Sequence, residues 1–214
     1  MRWQSGLLMM GLPLALLSAC LWSNPFPQVI AEKTVALSTL SPAQKTNIGV
    51  ATRYLEGLVL QPGETFSFNQ AVGPRTVKRG YLPAPSYLGG ESPATVGGGI
   101  CLLSSALYQL ALSAGLSITQ RVPHLKTIHS VPPGLDATVW YGGADLRLQN
   151  SYAKPVRLRF KREPNSLTAI LTGTERKPLQ PIRKTVSKRS ETELLVTVFQ
   201  GERMVSRDLY RISP

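Results

Sequence analysis

Gly97-Gly98-Gly99 runs directly into an uninterrupted, largely apolar segment that ends at Gly115. Three consecutive glycines favour neither helix nor strand, because glycine loses more conformational freedom on ordering than any other residue. The segment after them does favour helix. Leu103, Ala106, Leu107, Leu110, Ala111 and Ala114 keep the i, i+3, i+4 spacing of a helix with one core-facing stripe, and Gly115 supplies the stop. A chain with this junction must bury a helix against another layer while its N-terminal end stays open to close approach by other backbone. Cys101 falls in the first turn of that helix.

A second helix is signalled upstream. Ser41 can cap it, Pro42 suits its first position and Gln44 completes a capping box, after which Ile48, Ala51, Leu55 and Leu58 carry the stripe to about Leu60. Gln61-Pro62-Gly63-Glu64 turns the chain, and residues 65–68 alternate like a strand. Residues 70–98 are rich in Gly and Pro, with one strand expected near 81–88, and loops this long inside a domain are usually functional or disordered. A short strand is expected at 33–37. After Gly115 the texture is β-like, with strands at 116–121, 126–131, 137–141, 146–148, 156–161 and 167–172, and Asn165-Ser166 turning between the last two. The fold class is therefore α+β: two principal helices followed by a mostly antiparallel β-sheet. The domain spans 33–175. Residues 176–190, basic and holding two prolines, read as a solvated linker to a C-terminal β-hairpin extension at 191–214.

The N-terminus and the charge bear on location. Arg2, an apolar run from Leu7 to Leu17 and small residues before Cys20 read as a secretory signal over 1–23. Leu17-Ser18-Ala19-Cys20 also resembles a bacterial lipobox, which makes Cys20 a lipidation site and the product a membrane-anchored lipoprotein; an ordinary cleaved signal is the alternative. A spanning helix is disfavoured, since about 20 apolar residues are needed and Pro13 interrupts a shorter run. Of the 214 residues 24 are Lys or Arg and 12 are Asp or Glu, a net charge of +12. With no nucleic-acid motif in an exported chain, the expected partners are peptidoglycan or another anionic envelope polymer, and a membrane through the lipidated N-terminus. A generally basic surface with no dedicated ligand is the plainer alternative.

Only two cysteines and two histidines are present. One Cys and two His at these spacings do not make a zinc site, so neither metal nor cofactor is expected. With Cys20 removed or acylated, Cys101 has no disulfide partner. Either it is a small packing residue, or it is a nucleophile favoured as thiolate by the helix start. The second role needs a base and a group to orient it: His124 and His129 are the available imidazoles, and Asp136, Asp145 and Asn150 follow. His129, between Ile128 and Ser130, reads as a half-exposed strand residue. The order Cys on a helix start, then His, then Asp or Asn on strands is similar to that of papain-like, NlpC/P60-like and transglutaminase-like enzymes.

Longer blocks carry a closer resemblance. Pro62-Gly63-Glu64-Thr65-Phe66-Ser67-Phe68-Asn69, Gly80-Tyr81, Gly97-Gly98-Gly99-Ile100-Cys101, Ser104-Ser105, Leu107-Tyr108, Ala114-Gly115-Leu116, Arg121, His124, Gly134-Leu135-Asp136-Ala137-Thr138-Val139 and Asp145-Leu146 with Asn150 resemble the VanW family across residues 45–160. The resemblance implies a bacterial envelope protein. Its candidate catalytic residues are Cys101, His124 and Asp136, and its candidate substrate-binding residues are Gly97, Gly98, Gly99, Ser104, Ser105, Asp145 and Asn150. Two positions depart from the family pattern: Leu102 stands where glutamine is usual and Leu125 where serine is usual. Two functions follow as expectations. One is a Cys-dependent hydrolase or acyltransferase acting on peptidoglycan peptides; the other is a non-catalytic wall-binding or envelope-assembly module.

Overall fold

The computed structural model describes residues 24–86, 94–178 and 181–212. In chain order the elements are β1 (Gln28–Ala36), α1 (Pro42–Leu55), β2 (Val59–Leu60), β3 (Thr65–Ser67), α2 (Phe68–Val72), β4 (Pro83–Ala84), β5 (Thr95–Val96) and α3 (Ile100–Ala114). There follow β6 (Ser117–Gln120), β7 (Arg147–Gln149), β8 (Val156–Glu163), β9 (Ser166–Gly173), β10 (Ile182–Ser190), β11 (Glu193–Gln200) and β12 (Arg203–Arg211). The expected signal segment and Cys20 lie outside the described residues.

The strands form a four-stranded sheet in the order β1-β9-β8-β2, two three-stranded sheets, β3-β7-β6 and β10-β11-β12, and the ribbon β4-β5. Every strand pair is antiparallel. The α+β class holds. The capping box forms as expected: the Ser41 hydroxyl accepts from the Gln44 backbone N–H, and the Gln44 side chain accepts from the Ser41 N–H.

The helix α3 is the axis of the core. Its sequence shows one stripe, yet nearly every residue from Ile100 to Ala114 is buried, Ser104 and Ser105 included. A helix apolar on all sides is stable only when neighbours cover all sides. On one side Leu107, Leu110 and Ala111 meet Phe66, Leu148, Leu158 and Leu171. The C-terminal sheet closes another, where Val198 joins the core and the Gln200 amide donates to Leu112 O at 2.8 Å.

Several local expectations are corrected. Residues 126–131 form only isolated bridges, Lys126 with Arg211 and Ile128 with Val131, and no strand spans 137–141. Their backbone is taken up elsewhere: Thr127 N–H donates to Arg211 O and Thr138 N–H to Val122 O. His129 is exposed in a turn. The segment read as a linker contains β10, whose residues are all exposed while its backbone pairs with β11 from Ile182 to Ser190. An edge strand can carry such charge because only its hydrogen-bond ladder, and not a packed face, holds it in place. The terminal strands β11 and β12 are not an appendage, for Val196, Val198 and Tyr210 are fully buried.

Candidate active site

The loop before α3 is shaped by close backbone approach. A Cβ on Gly98 would stand 2.1 Å from the Ala84 carbonyl oxygen, and Gly99 caps the helix at φ +94°. Asn47, wholly buried on α1, ties this loop to its neighbour. Its amide donates to Leu82 O and Gly98 O at 2.9 Å, and its oxygen accepts from Leu82 N–H at 2.7 Å. The helix start is thereby fixed against β4.

Cys101, the second residue of α3, is half-buried, with Sγ 3.7 Å from Val139 O. His124 reaches it from the segment after β6. Its ring Nδ1 and its backbone N–H both meet Asp136 Oδ2, at 2.6 and 2.7 Å. That places Nε2 on the side of Cys101, and the two side chains interact. Three residues distant in sequence are thus brought into the order thiol, imidazole, carboxylate.

Asp136 is bonded on both oxygens. Oδ1 accepts from the Tyr210 hydroxyl at 2.6 Å and from Arg121 Nη2 at 2.8 Å. Arg121 also donates to the Asp136 carbonyl, to Tyr210 Oη and to Asp208, and its guanidinium lies 5.2 Å from the Tyr108 ring centre. Tyr210 Oη in turn accepts from Gly134 N–H at 2.9 Å. A carboxylate so surrounded has one orientation available and gives the imidazole one orientation.

The electrostatics follow from these contacts. Burial opposes charge on His124, but the hydrogen bonds to Asp136 and Cys101 outweigh it and raise the pKa to about 9. Burial likewise opposes ionisation of Asp136, and His124, Arg121 and Tyr210 overcome it, holding the carboxyl near 2. Burial pushes the Tyr210 phenol up despite Arg121, so it remains a donor. At neutral pH the site therefore contains an imidazolium locked on a carboxylate and facing the Cys101 sulfur.

A cleft of about 240 Å³ opens over Cys101 and His124. Gly97, Gly98 and Gly99 line it, and so do Arg75, Thr138, Trp140 and Tyr141. Four residues expected to bind substrate do not line it. Ser104 and Ser105 are wholly buried: Ser104 donates to Ala137 O at 2.6 Å, and Ser105 donates to Cys101 O and accepts from Ala137 N–H. Asp145 accepts from Ser67 and Asn69, and Asn150 donates to Leu60 O and Lys154 O. Their polar atoms are spent on backbone and loops, which explains a demand for those residue types without a ligand. Leu102 is buried in the core and Leu125 is 85% exposed, so neither departure alters the cleft wall. Among the described residues no cluster of His, Cys, Asp or Glu is arranged to hold a metal.

Sequence reasoning missed Arg75, Asn47, Asp208 and Tyr210. The last two lie on an ordinary alternating strand, where nothing local announces a distant carboxylate. Arg75 stood in the Gly/Pro-rich stretch together with Lys78 and Arg79, and nothing local set it apart from them.

Fold and site together define an α+β protein with a Cys-His-Asp constellation at the start of a buried helix. The family described as VanW like protein matches residues 43–172, and the chain belongs to that family. It is 40% identical over 164 residues to uncharacterized protein YoaR of Bacillus subtilis (strain 168), covering 71% of this chain and 54% of that one. It is 33% identical over 109 residues to vancomycin B-type resistance protein VanW of Enterococcus faecalis (strain ATCC 700802 / V583), covering 49% of this chain and 40% of that one. The chain thus spans about half the length or less of these curated relatives. No solved structure matches it.

Proposed function

We propose that this is an exported envelope enzyme that breaks or exchanges an amide bond in peptidoglycan peptides through Cys101. The observation that carries the reading is the assembled Cys101-His124-Asp136 constellation at the floor of an open cleft. In the first step the Cys101 thiolate attacks the amide carbonyl carbon. Negative charge moves to the carbonyl oxygen, near the start of α3, where the Ile100 and Cys101 N–H groups precede the first helical hydrogen bond, from Leu102 N–H to Gly99 O. As the C–N bond breaks, the His124 imidazolium gives its Nε2 proton to the departing amine, leaving a thioester and a neutral imidazole. Water or an acceptor amine then attacks the thioester, His124 takes its proton, and the C–S bond breaks to restore the thiolate. Water as acceptor makes the protein a hydrolase and an amine makes it an acyltransferase.

The reading is tested by incubating the purified protein with defined muropeptides and following products by mass spectrometry. Cys101→Ala and His124→Ala should each lower turnover by roughly a thousandfold or more while retaining the fold. Unchanged products from Cys101→Ala would remove the enzymatic reading. The second reading, a non-catalytic wall-binding module, draws on the cleft rim, where Trp140 and Tyr141 are 47% and 56% exposed. It expects Cys101→Ala to keep both muropeptide binding and the cellular effect. Envelope location, lipidation of Cys20 and a link to glycopeptide resistance belong to the same proposal. They rest on the N-terminal sequence and on the name of one relative. Lipid labelling that survives Cys20→Ala would sink the anchor.

A further inference from the structure

Arg75 follows α2 and enters the cleft wall beside Cys101. Its guanidinium lies 5.4 Å from the Phe68 ring centre, and the stem is pressed by Gly97, where a Cβ would stand 2.8 Å from Arg75 Cβ. Both Nη atoms are shielded from solvent, and among the described residues neither has a hydrogen-bond partner. The nearby carboxylate of Asp145 is already occupied by Ser67, Asn69 and Arg147. A guanidinium is a planar fork of donors that fits a carboxylate with two parallel bonds, and leaving such a group buried and unanswered is among the costlier arrangements a fold can keep. Burial lowers the Arg75 pKa against the pull of Tyr81, Cys101 and Asp145, in keeping with a charge that is not fully compensated. Ser86 Oγ and Thr138 Oγ1, also buried and unbonded among the described residues, line the same cleft. The wall therefore presents donors and positive charge, and asks for an acceptor-rich anion.

We propose that Arg75 is the specificity residue of the cleft and binds a carboxylate of the peptide substrate close to the amide that Cys101 attacks. An extended peptide advances by roughly 3.4 Å per residue, and the cleft measures about 240 Å³, so the carboxylate lies within a residue or two of the attacked carbonyl. It is either the terminal carboxylate of the leaving residue or an acidic side chain next to it. This inference rests on the acyl-transfer reading above for its substrate, although the anion site itself can be read without turnover.

The experiment has two arms, both on the protein carrying Cys20→Ser so that Cys101 is its only thiol. In the first, kcat/KM is measured for a stem peptide with both carboxylates free, with the terminal one amidated, and with the side-chain one amidated. For the wild type one of the two amidations should cost roughly 10- to 100-fold, and which one identifies the source. Arg75→Gln should lose a similar factor on the free peptide and then be indifferent to that amidation. A preference that survives in Arg75→Gln overturns the proposal. In the second arm, Cys101 is alkylated with iodoacetate and with iodoacetamide. The ratio of the two rates should fall about tenfold in Arg75→Gln, and Arg75→Lys, which keeps the charge without the fork, should lie between. Equal ratios in all three overturn the proposal. If Arg75→Gln does not fold, the Arg75→Lys comparison decides in both arms. An Arg75-dependent ratio with no peptide turned over would overturn the acyl-transfer reading alone.

Discussion

His124 lies between a carboxylate that holds its proton and a sulfur that shares it, and the balance between them sets the pH range of the site. Its pKa near 9 makes the imidazolium the dominant form at neutral pH, so the proton needed by a departing amine is present below about 9 and lost above it. The rate profile of kcat/KM should accordingly show an alkaline limb near pH 9. Asp136→Asn removes the strongest support for the imidazolium while burial still opposes it, so that limb should move to neutral pH or below. A limb that stays near 9 in Asp136→Asn would show that some other group sets it. The triad residue types and their order were legible in the sequence, because a thiol at a helix start with only two imidazoles after it leaves few pairings. The choice of Asp136 over Asp145 and Asn150 rested on the family resemblance. Spacing could not separate them, since all three are buried and differ only in which loop takes their oxygens.

At the scale of elements, the unexpected contribution is that of β12. The candidate catalytic residues come from α3 and the segments after β6, yet Tyr210 and Asp208 arrive from a strand beyond the 43–172 stretch that defines the family match. Helices were the more legible elements, because 3.6-residue spacing and caps are local, as Ser41 and Gln44 illustrate. The segments at 126–131 and 137–141 were misread as strands because they alternate as strands do. Alternation reports which side chains face inward and not whether a neighbouring backbone is available to pair. The same limit hid the role of Tyr210. Tyr210→Phe leaves Gly134 N–H without its acceptor and Asp136 Oδ1 with Arg121 alone, which should cost about 1–3 kcal/mol of stability. Because the phenol touches no substrate, kcat should fall with KM little changed, and the alkaline limb should shift as His124 loses part of its support. If the melt shifts while the limb does not, Tyr210 is a packing residue without a positioning role.

For the whole molecule, the charge of +12 is far more than the cleft itself holds. The triad and its neighbours pair Arg121 and His124 against Asp136 and Asp208, so apart from Arg75 the surplus lies outside the cleft. Part of it is on β10, where Arg183, Lys184, Lys188 and Arg189 stand on a fully exposed edge strand. Clustered exposed charge attracts an extended polyanion over distances of a Debye length, about 10 Å at 0.1 M salt, and loses that attraction as salt rises. Binding to isolated anionic wall polymer should therefore weaken steeply between low and physiological salt. Reversing Arg183, Lys184 and Lys188 to Glu should flatten that dependence and leave turnover of a short soluble peptide unchanged, since β10 does not line the cleft. Co-sedimentation with purified wall at several salt concentrations checks the first part and peptide kinetics the second. If wall binding keeps its salt dependence in the reversed variant, the basic strand is not the docking face, and the surplus charge is acting through the surface as a whole.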